Sequence, residues 1–165
     1  MAMMWLRARQ RDWCNYRRLS AGDRRSLLLA MLLLPLVVLV HRGLGLRRAQ
    51  AVLDAMTSNR AAICPGQSEP ERVRLARSAS HIVQIASRRC LLTPTCLQQS
   101  LFLRWWLARR GVAASLRIGV RKRDGMLEAH AWVEHLGQAL NDAADGGERF
   151  APFDSCFAAT SRSTR

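Results

Sequence analysis

The sequence predicts an α+β fold, in which a helix that starts with a cysteine packs on an antiparallel sheet behind a helical N-terminal part. Two observations predict it. Up to Gly111 the apolar residues lie in long runs or at helical spacing, and after Gly111 they alternate in short segments. A chain of 165 residues also has the length of one domain. We expect a helical part over residues 1–60, a core over 70–158 and a disordered tail over 159–165.

The N-terminal part reads as two successive helices followed by a linker. Gly22-Asp23 is typical of a helix start, and Gly43 and Gly45 interrupt the pattern before Leu46 to Met56 resumes it. Thr57 to Pro70 is the best candidate for a linker, because it contains a Cys-Pro-Gly turn signal.

The segment Leu27 to Val40 is uninterrupted by polar residues and includes Pro35. Its 14 residues would span roughly 21 Å as a helix, less than the ~30 Å of a bilayer core. It is also a poor signal peptide, because a long arginine-rich stretch precedes it and no small-residue cleavage site follows. We expect it to be buried against the core or covered by a partner. Peripheral membrane contact is the alternative, favoured by the flanking Arg24, Arg25, Arg42, Arg47 and Arg48.

Two further helices precede the sheet. Glu71 to Arg89 has apolar residues at helical spacing, and Thr95 is a good N-cap for a helix from Cys96 to Arg110. Cys96 is then in the first turn, where unpaired N–H groups and the helix dipole favour a thiolate and can hold an oxyanion. This helix is apolar nearly all round, so we expect it to be central and buried.

Three strands follow as a meander. Ala114 to Arg121 alternates, Met126 to His135 returns, and Ala139 to Asp142 closes the third strand. Residues 150–153 form either a final strand or a docked segment.

In this meander His130 and Asp142 can sit side by side on neighbouring strands. His130 would take the thiol proton of Cys96, and Asp142 would orient the imidazole. His135 is an odd number of residues away and falls on the other strand face. Asp145, in a turn-like stretch, is the competing carboxylate.

Charge and cysteine content set bounds on the function. The chain has 26 basic residues, of which only Lys122 is lysine, and 12 acidic ones, for a net charge of +14. Most of this charge is expected on solvated helix surface, and no nucleic-acid-binding motif accompanies it. We therefore expect no nucleic acid partner.

The remaining cysteines, Cys14, Cys64, Cys90 and Cys156, lack metal-ligand spacing and are expected as small buried residues. No metal and no cofactor are expected, and free thiols fit a reducing cytoplasm.

The motifs resemble those of the transglutaminase-like cysteine peptidases that remove the leader from lasso-peptide precursors. The pattern is Cys-Leu-(x)3-Leu-(x)2-Arg-Trp, followed by Arg-Arg-Gly-Val, Arg-Ile-Gly-Val, His-Ala-Trp-Val-Glu and Leu-Asn-Asp, and it covers roughly residues 70–158. The resemblance implies a papain/transglutaminase-like core and a catalytic triad of Cys96, His130 and Asp142. The tryptophan, basic run and leucine-rich helix of the N-terminal part also resemble this family.

The resemblance further implies partners. Some family members carry a leader-recognition module, for which these 165 residues leave no room, so we expect a separate leader-recognition protein. An asparagine-synthetase-like lasso cyclase would then close the macrolactam on the freed core of the precursor peptide. Two alternatives stay open: acyl transfer from the same acyl-enzyme, and a non-catalytic scaffold that holds the precursor.

Overall fold

The computed structural model of the protein describes residues 20–57, 68–123, 126–141 and 151–152. Three helices and one four-stranded sheet make up the described part, so the predicted α+β class is confirmed. The elements are α1 (Ala21–Ala55), α2 (Glu69–Arg89), α3 (Cys96–Ala108), β1 (Ser115–Arg123), β2 (Met126–His135), β3 (Gln138–Ala139) and β4 (Ala151–Pro152). The predicted disordered tail and most of the predicted linker lie outside the described residues.

Helix α1 joins the two predicted N-terminal helices end to end. Its N-cap is Ser20, whose hydroxyl accepts from the Asp23 N–H. The interruption predicted at two glycines occurs at Gly45, with φ +75°, while Gly43 stays helical. A positive φ is accessible to glycine without steric cost, which explains why the bend falls there.

Helix α2 begins at Glu69, two residues earlier than predicted, so the expected linker ends sooner. Ser68 and Glu71 form a capping box, and Pro70 suits the first turn because its missing N–H would be unpaired there anyway. The pKa of the Glu71 carboxyl is lowered because the carboxylate accepts two hydrogen bonds from Ser68. The bond from the backbone N–H has the larger effect, and the bond from the hydroxyl has the smaller one.

Helix α3 begins at Cys96 as predicted. The Thr95 hydroxyl accepts from the Gln98 N–H at 3.4 Å, and the Gln98 side-chain oxygen accepts from the Thr95 N–H at 2.9 Å. These two bonds satisfy donors that a helix start otherwise leaves unpaired. The helix ends at Ala108, two residues before the predicted end, and Gly111 at φ +73° turns the chain towards the sheet.

The sheet is antiparallel, in the order β3-β2-β1-β4. The β1–β2 hairpin is regular, and His130 lies opposite Gly119. The third strand begins one residue earlier than predicted, and up to Asn141, where the described segment ends, it consists of Gln138 and Ala139. Beyond them, Leu140 N still donates to Val133 O. The next bond to β2 is made by the Asn141 side chain, whose Oδ1 accepts from Val133 N.

The last strand, β4, pairs with Gly119 and Val120 of β1, so the strand interpretation of residues 150–153 is confirmed for Ala151 and Pro152. Proline is compatible with this position because β4 is at the sheet edge.

A single hydrophobic core joins all three helices to one face of the sheet. Helix α3 is at its centre, with Phe102 packed against Trp105 and Trp106 at ring distances of 5.7 and 5.2 Å. Arg104 of α3 also pairs with Asp54 of α1 at 2.8 Å. The prediction of a central, buried helix is therefore confirmed.

Candidate active site

Cys96 is the first residue of α3 and is half-buried. The Thr95 hydroxyl and carbonyl already accept from the N–H groups of Gln98 and Gln99. Within the described residues, this leaves the N–H groups of Cys96 and Leu97 for an oxyanion that forms beside the thiol. The positive end of the helix dipole also lies at this point.

Helix α3 and strand β2 run in the same direction. Near the helix start, the Ser100 hydroxyl donates to Ala131 O at 2.9 Å. Beyond the helix end, Ala113 O contacts the His135 ring nitrogen Nδ1 at 2.6 Å. Moving one turn back from Ser100 to Cys96 covers about 6 Å, the length of about two strand residues. On this spacing we expect Cys96 near the level of residues 129–130 of β2.

The start of α3 lies along the open edge of β2. Val133 points its N–H and carbonyl away from β1, to Asn141 and Leu140, and Ala131 points its groups the same way because the period of a strand is two. The carbonyl that Ser100 binds is therefore an edge carbonyl. A cysteine at this edge can approach either face of the sheet.

His130 is half-buried, and its side chain is on the face opposite to Ala131 and Val133, which pack in the core with α3. Its ring is stacked on Trp132 at 6.2 Å with an interplanar angle of 15°. The cross-strand neighbour Gly119 has no side chain to compete for space beside the imidazole. The imidazole therefore lies nearly parallel to one aromatic ring.

Three buried or half-buried groups connect the elements that carry the predicted site. The Ser100 hydroxyl, which donates to Ala131 O, accepts from Asn141 Nδ2 at 2.8 Å. Asn141 Oδ1 in turn accepts from Val133 N at 2.7 Å. Ser100 is completely buried. The network fixes α3, β2 and the segment after β3 relative to one another, immediately beside Cys96 and His130.

Asp142, the predicted orienting carboxylate, lies outside the described residues, as does its competitor Asp145. Its neighbour Asn141 is placed by the network, so the chain reaches the edge of β2 at the residue before Asp142. The role of Asp142 stays a prediction.

His135 is on the opposite strand face from His130, as the spacing predicted. It is buried, and its Nδ1 contacts Ala113 O. This residue connects the start of β1 to the end of β2 and belongs to the structural framework.

Two polar residues near the site were not predicted from the sequence. Ser100 is one helical turn after Cys96, and Asn141 immediately precedes Asp142. A serine inside an apolar helix, four residues after a candidate nucleophile, is a signal that could have been used, because a buried hydroxyl needs a partner.

Two glutamines in the first turn of α3 have structural partners. Gln98 is buried in the α3 cap, and its Nε2 contacts His41 Nδ1 at 3.2 Å. Gln99 Nε2 donates to Pro94 O at 3.1 Å. Neither side-chain amide is therefore assigned as a hydrogen-bond donor to the oxyanion.

Cys90 and Cys96 are free thiols, and both are half-buried. The other cysteines, Cys14, Cys64 and Cys156, lie outside the described residues. Within the described ranges no group of three His, Cys, Asp or Glu side chains is arranged to hold a metal ion.

Among the helices that the structure describes, α1 is long and apolar enough to cross a membrane by length and composition. It is longer than the 14-residue apolar segment Leu27 to Val40, which alone is too short to span a bilayer core. Buried core helices meet the same criteria, and 28% of its most apolar 18-residue window is buried inside the protein.

Comparison with known proteins gives one family. A family model described as the transglutaminase-like superfamily matches residues 36–155, more than half of the chain. The matched segment begins within α1 and includes the whole of α2, α3 and the hairpin. No curated protein and no solved structure matches the chain.

Proposed function

We propose that this chain, which belongs to the transglutaminase-like superfamily, is a cysteine peptidase that removes the leader from a lasso-peptide precursor. The single observation that carries the proposal is the position of Cys96 at the start of a buried helix, one turn before Ser100, which is bonded to the strand that bears His130. Members of this superfamily are usually cysteine-based enzymes. The resemblance of the Cys96, His130 and Asp142 motifs to the leader peptidases supports the more specific assignment.

The first chemical step forms the acyl-enzyme. His130 accepts the thiol proton of Cys96, and the thiolate sulfur attacks the carbonyl carbon of the last leader residue. The oxyanion that develops is within reach of the helix N–H groups of Cys96 and Leu97. His130 then gives its proton to the departing amine, the C–N bond breaks, and the core peptide leaves with a free amino terminus.

The second step releases the leader. A water molecule, deprotonated by His130, attacks the thioester carbonyl, and the C–S bond breaks to regenerate the thiol. The leader leaves as a carboxylic acid. Asp142 would stabilise the imidazolium in both steps and keep the ring in the productive tautomer.

The partners follow from the same proposal. A separate leader-recognition protein would bind the precursor peptide and deliver it to Cys96. An asparagine-synthetase-like cyclase would join the freed amino terminus to an Asp or Glu side chain of the core.

Intact-mass analysis tests the proposal. A cognate precursor is incubated with this protein and its leader-recognition partner, using the wild type and Cys96→Ala. The expected result is cleavage at the leader–core junction by the wild type only. Equal processing by Cys96→Ala would overturn the proposal in favour of a scaffold, and a product joined to an added amine would indicate acyl transfer.

A further inference from the structure

Five leucines of α1 form an exposed apolar surface, which we name the leucine stripe. Successive residues of a helix are about 100° apart around its axis, so the five leucines fall within an arc of roughly 100° of the helix circumference. Their exposed fractions range from 50% to 66%. The stripe consists of Leu28, Leu29, Leu32, Leu36 and Leu39. A contiguous apolar surface of this kind is typical of an interaction site.

The opposite face of the same helix is fixed in the core. Leu27, Ala30 and Leu34 are completely or almost completely buried and pack with residues of α2 and α3. A membrane-spanning α1 would have to leave this core, which includes the helix that carries Cys96. The stripe is therefore suited to lie on an apolar layer while the rest of α1 stays packed.

Basic residues border the stripe at both ends. Arg25 has nearly the same angular position around the helix axis as Leu32, and Arg42 is three residues after Leu39, the last leucine of the stripe. Arg47 and Arg48 come just after the bend, and all four arginines are exposed. About 26 Å of helix separates Arg25 from Arg42.

Negative charge is absent from this stretch of sequence, since no Asp or Glu occurs between Asp23 and Asp54. The Asp23 carboxylate accepts from the hydroxyls of Ser20 and Ser78, and Asp54 pairs with Arg104. The stripe therefore matches a surface that is apolar in the middle and anionic at its border.

A second copy of this chain does not offer such a surface. Two stripes packed in parallel would bring Arg25 against Arg25, and two packed antiparallel would bring Arg25 against Arg42. Both arrangements place like charges together, which is destabilising. The net charge of +14 adds to the repulsion between copies.

We propose that the leucine stripe docks on the surface of an anionic lipid bilayer, with α1 lying in the membrane plane. The leucines enter the boundary between head groups and acyl chains, and the arginines contact lipid phosphates. The protein is thereby held at the membrane surface. This proposal is independent of the reaction at Cys96.

Co-sedimentation with lipid vesicles tests the proposal. The full chain is mixed with phosphatidylcholine vesicles, and with vesicles that also contain phosphatidylglycerol. We expect binding to the anionic vesicles, weakened by added salt because charge contacts are screened. Leu32→Gln with Leu36→Gln should weaken binding at least tenfold, because two leucine side chains that enter the bilayer are replaced by polar ones. Arg25→Gln with Arg42→Gln should cost about fivefold for each arginine.

The control carries the same chemical change elsewhere on the surface. Leu91→Gln with Leu136→Gln also replaces two exposed leucines and should bind like the wild type. Circular dichroism checks that every variant is folded. The proposal would be overturned by absence of binding to anionic vesicles or by equal binding to both kinds of vesicle. It would also be overturned if the wild type is a dimer that becomes monomeric in the Leu32→Gln, Leu36→Gln variant.

Discussion

Helices α1 and α3 are both apolar along most of their length, yet the protein uses them differently. Helix α3 is buried on nearly all sides and is half-exposed at its first two residues, where Cys96 lies. Helix α1 is buried on one side between Leu27 and Val38 and exposes leucines on the other side of the same stretch. The comparison separates two kinds of surface: a half-exposed helix end that carries the proposed nucleophile, and an apolar helix side that no described residue covers.

The largest effect is expected at the exposed end of α3. Cys96→Ser replaces the proposed nucleophile and should lower the rate of precursor cleavage by at least about 10⁴-fold. Cys90→Ser is the matched control, because Cys90 is also a free, half-buried thiol. Initial rates followed by mass spectrometry check the pair. Comparable losses in both variants would show that the end of α3 has no special role.

The two sides of α1 should differ in their contribution to stability. Leu34 is completely buried, and Leu34→Ala should lower the free energy of unfolding by about 2–5 kcal/mol. Leu32 is 66% exposed, and Leu32→Ala should change the free energy of unfolding by no more than about 0.5 kcal/mol. Denaturant titration measures both variants. Similar losses would mean that the leucine stripe is covered within the protein itself.

A smaller loss is expected where α3 meets the sheet. Ser100→Ala removes the donor to Ala131 O and the acceptor for Asn141, which should destabilise the protein by about 1–3 kcal/mol. The turnover rate should also fall, because the network holds α3 and β2 in register. Ser87→Ala is the control, since that hydroxyl donates to Gln84 O within its own helix. An unchanged turnover rate for Ser100→Ala would limit the network to stability.

The smallest effect concerns the cap of α3. Thr95→Ala removes the oxygen that accepts from Gln98 N–H and should cost about 1 kcal/mol. Thermal melting compares it with Thr93→Ala, an exposed threonine in the preceding loop. A cap that contributes nothing would give two identical melting curves.

The helices and the hairpin could be predicted closely from the sequence, because their signals are local. Thr95 marks the start of α3, the bend at Gly45 follows from a glycine, and β2 has the predicted bounds of Met126 and His135. The third strand was predicted too long. The Asn141 side chain replaces backbone pairing there, a substitution that no strand pattern records.

The site could be predicted only in part. The positions of Cys96 and His130 on a helix start and a strand followed from motif and periodicity. Ser100 and Asn141 were missed because their partners are 31 and 41 residues away, contacts that depend on the tertiary fold. For Leu27 to Val40 the sequence left burial in the core, coverage by a partner and membrane contact open, since an unbroken apolar run does not show which residues lie on a covered face and which on an exposed one.

The central claim is that the start of α3 and His130 together activate Cys96, and the alkylation rate of each cysteine tests it without a substrate. The full chain is treated briefly with iodoacetamide near neutral pH, and peptide mapping by mass spectrometry gives the rates at Cys96 and Cys90. The account predicts faster labelling at Cys96, and a loss of this difference in His130→Ala. Equal rates at the two thiols, or a Cys96 rate that His130→Ala leaves unchanged, would contradict it.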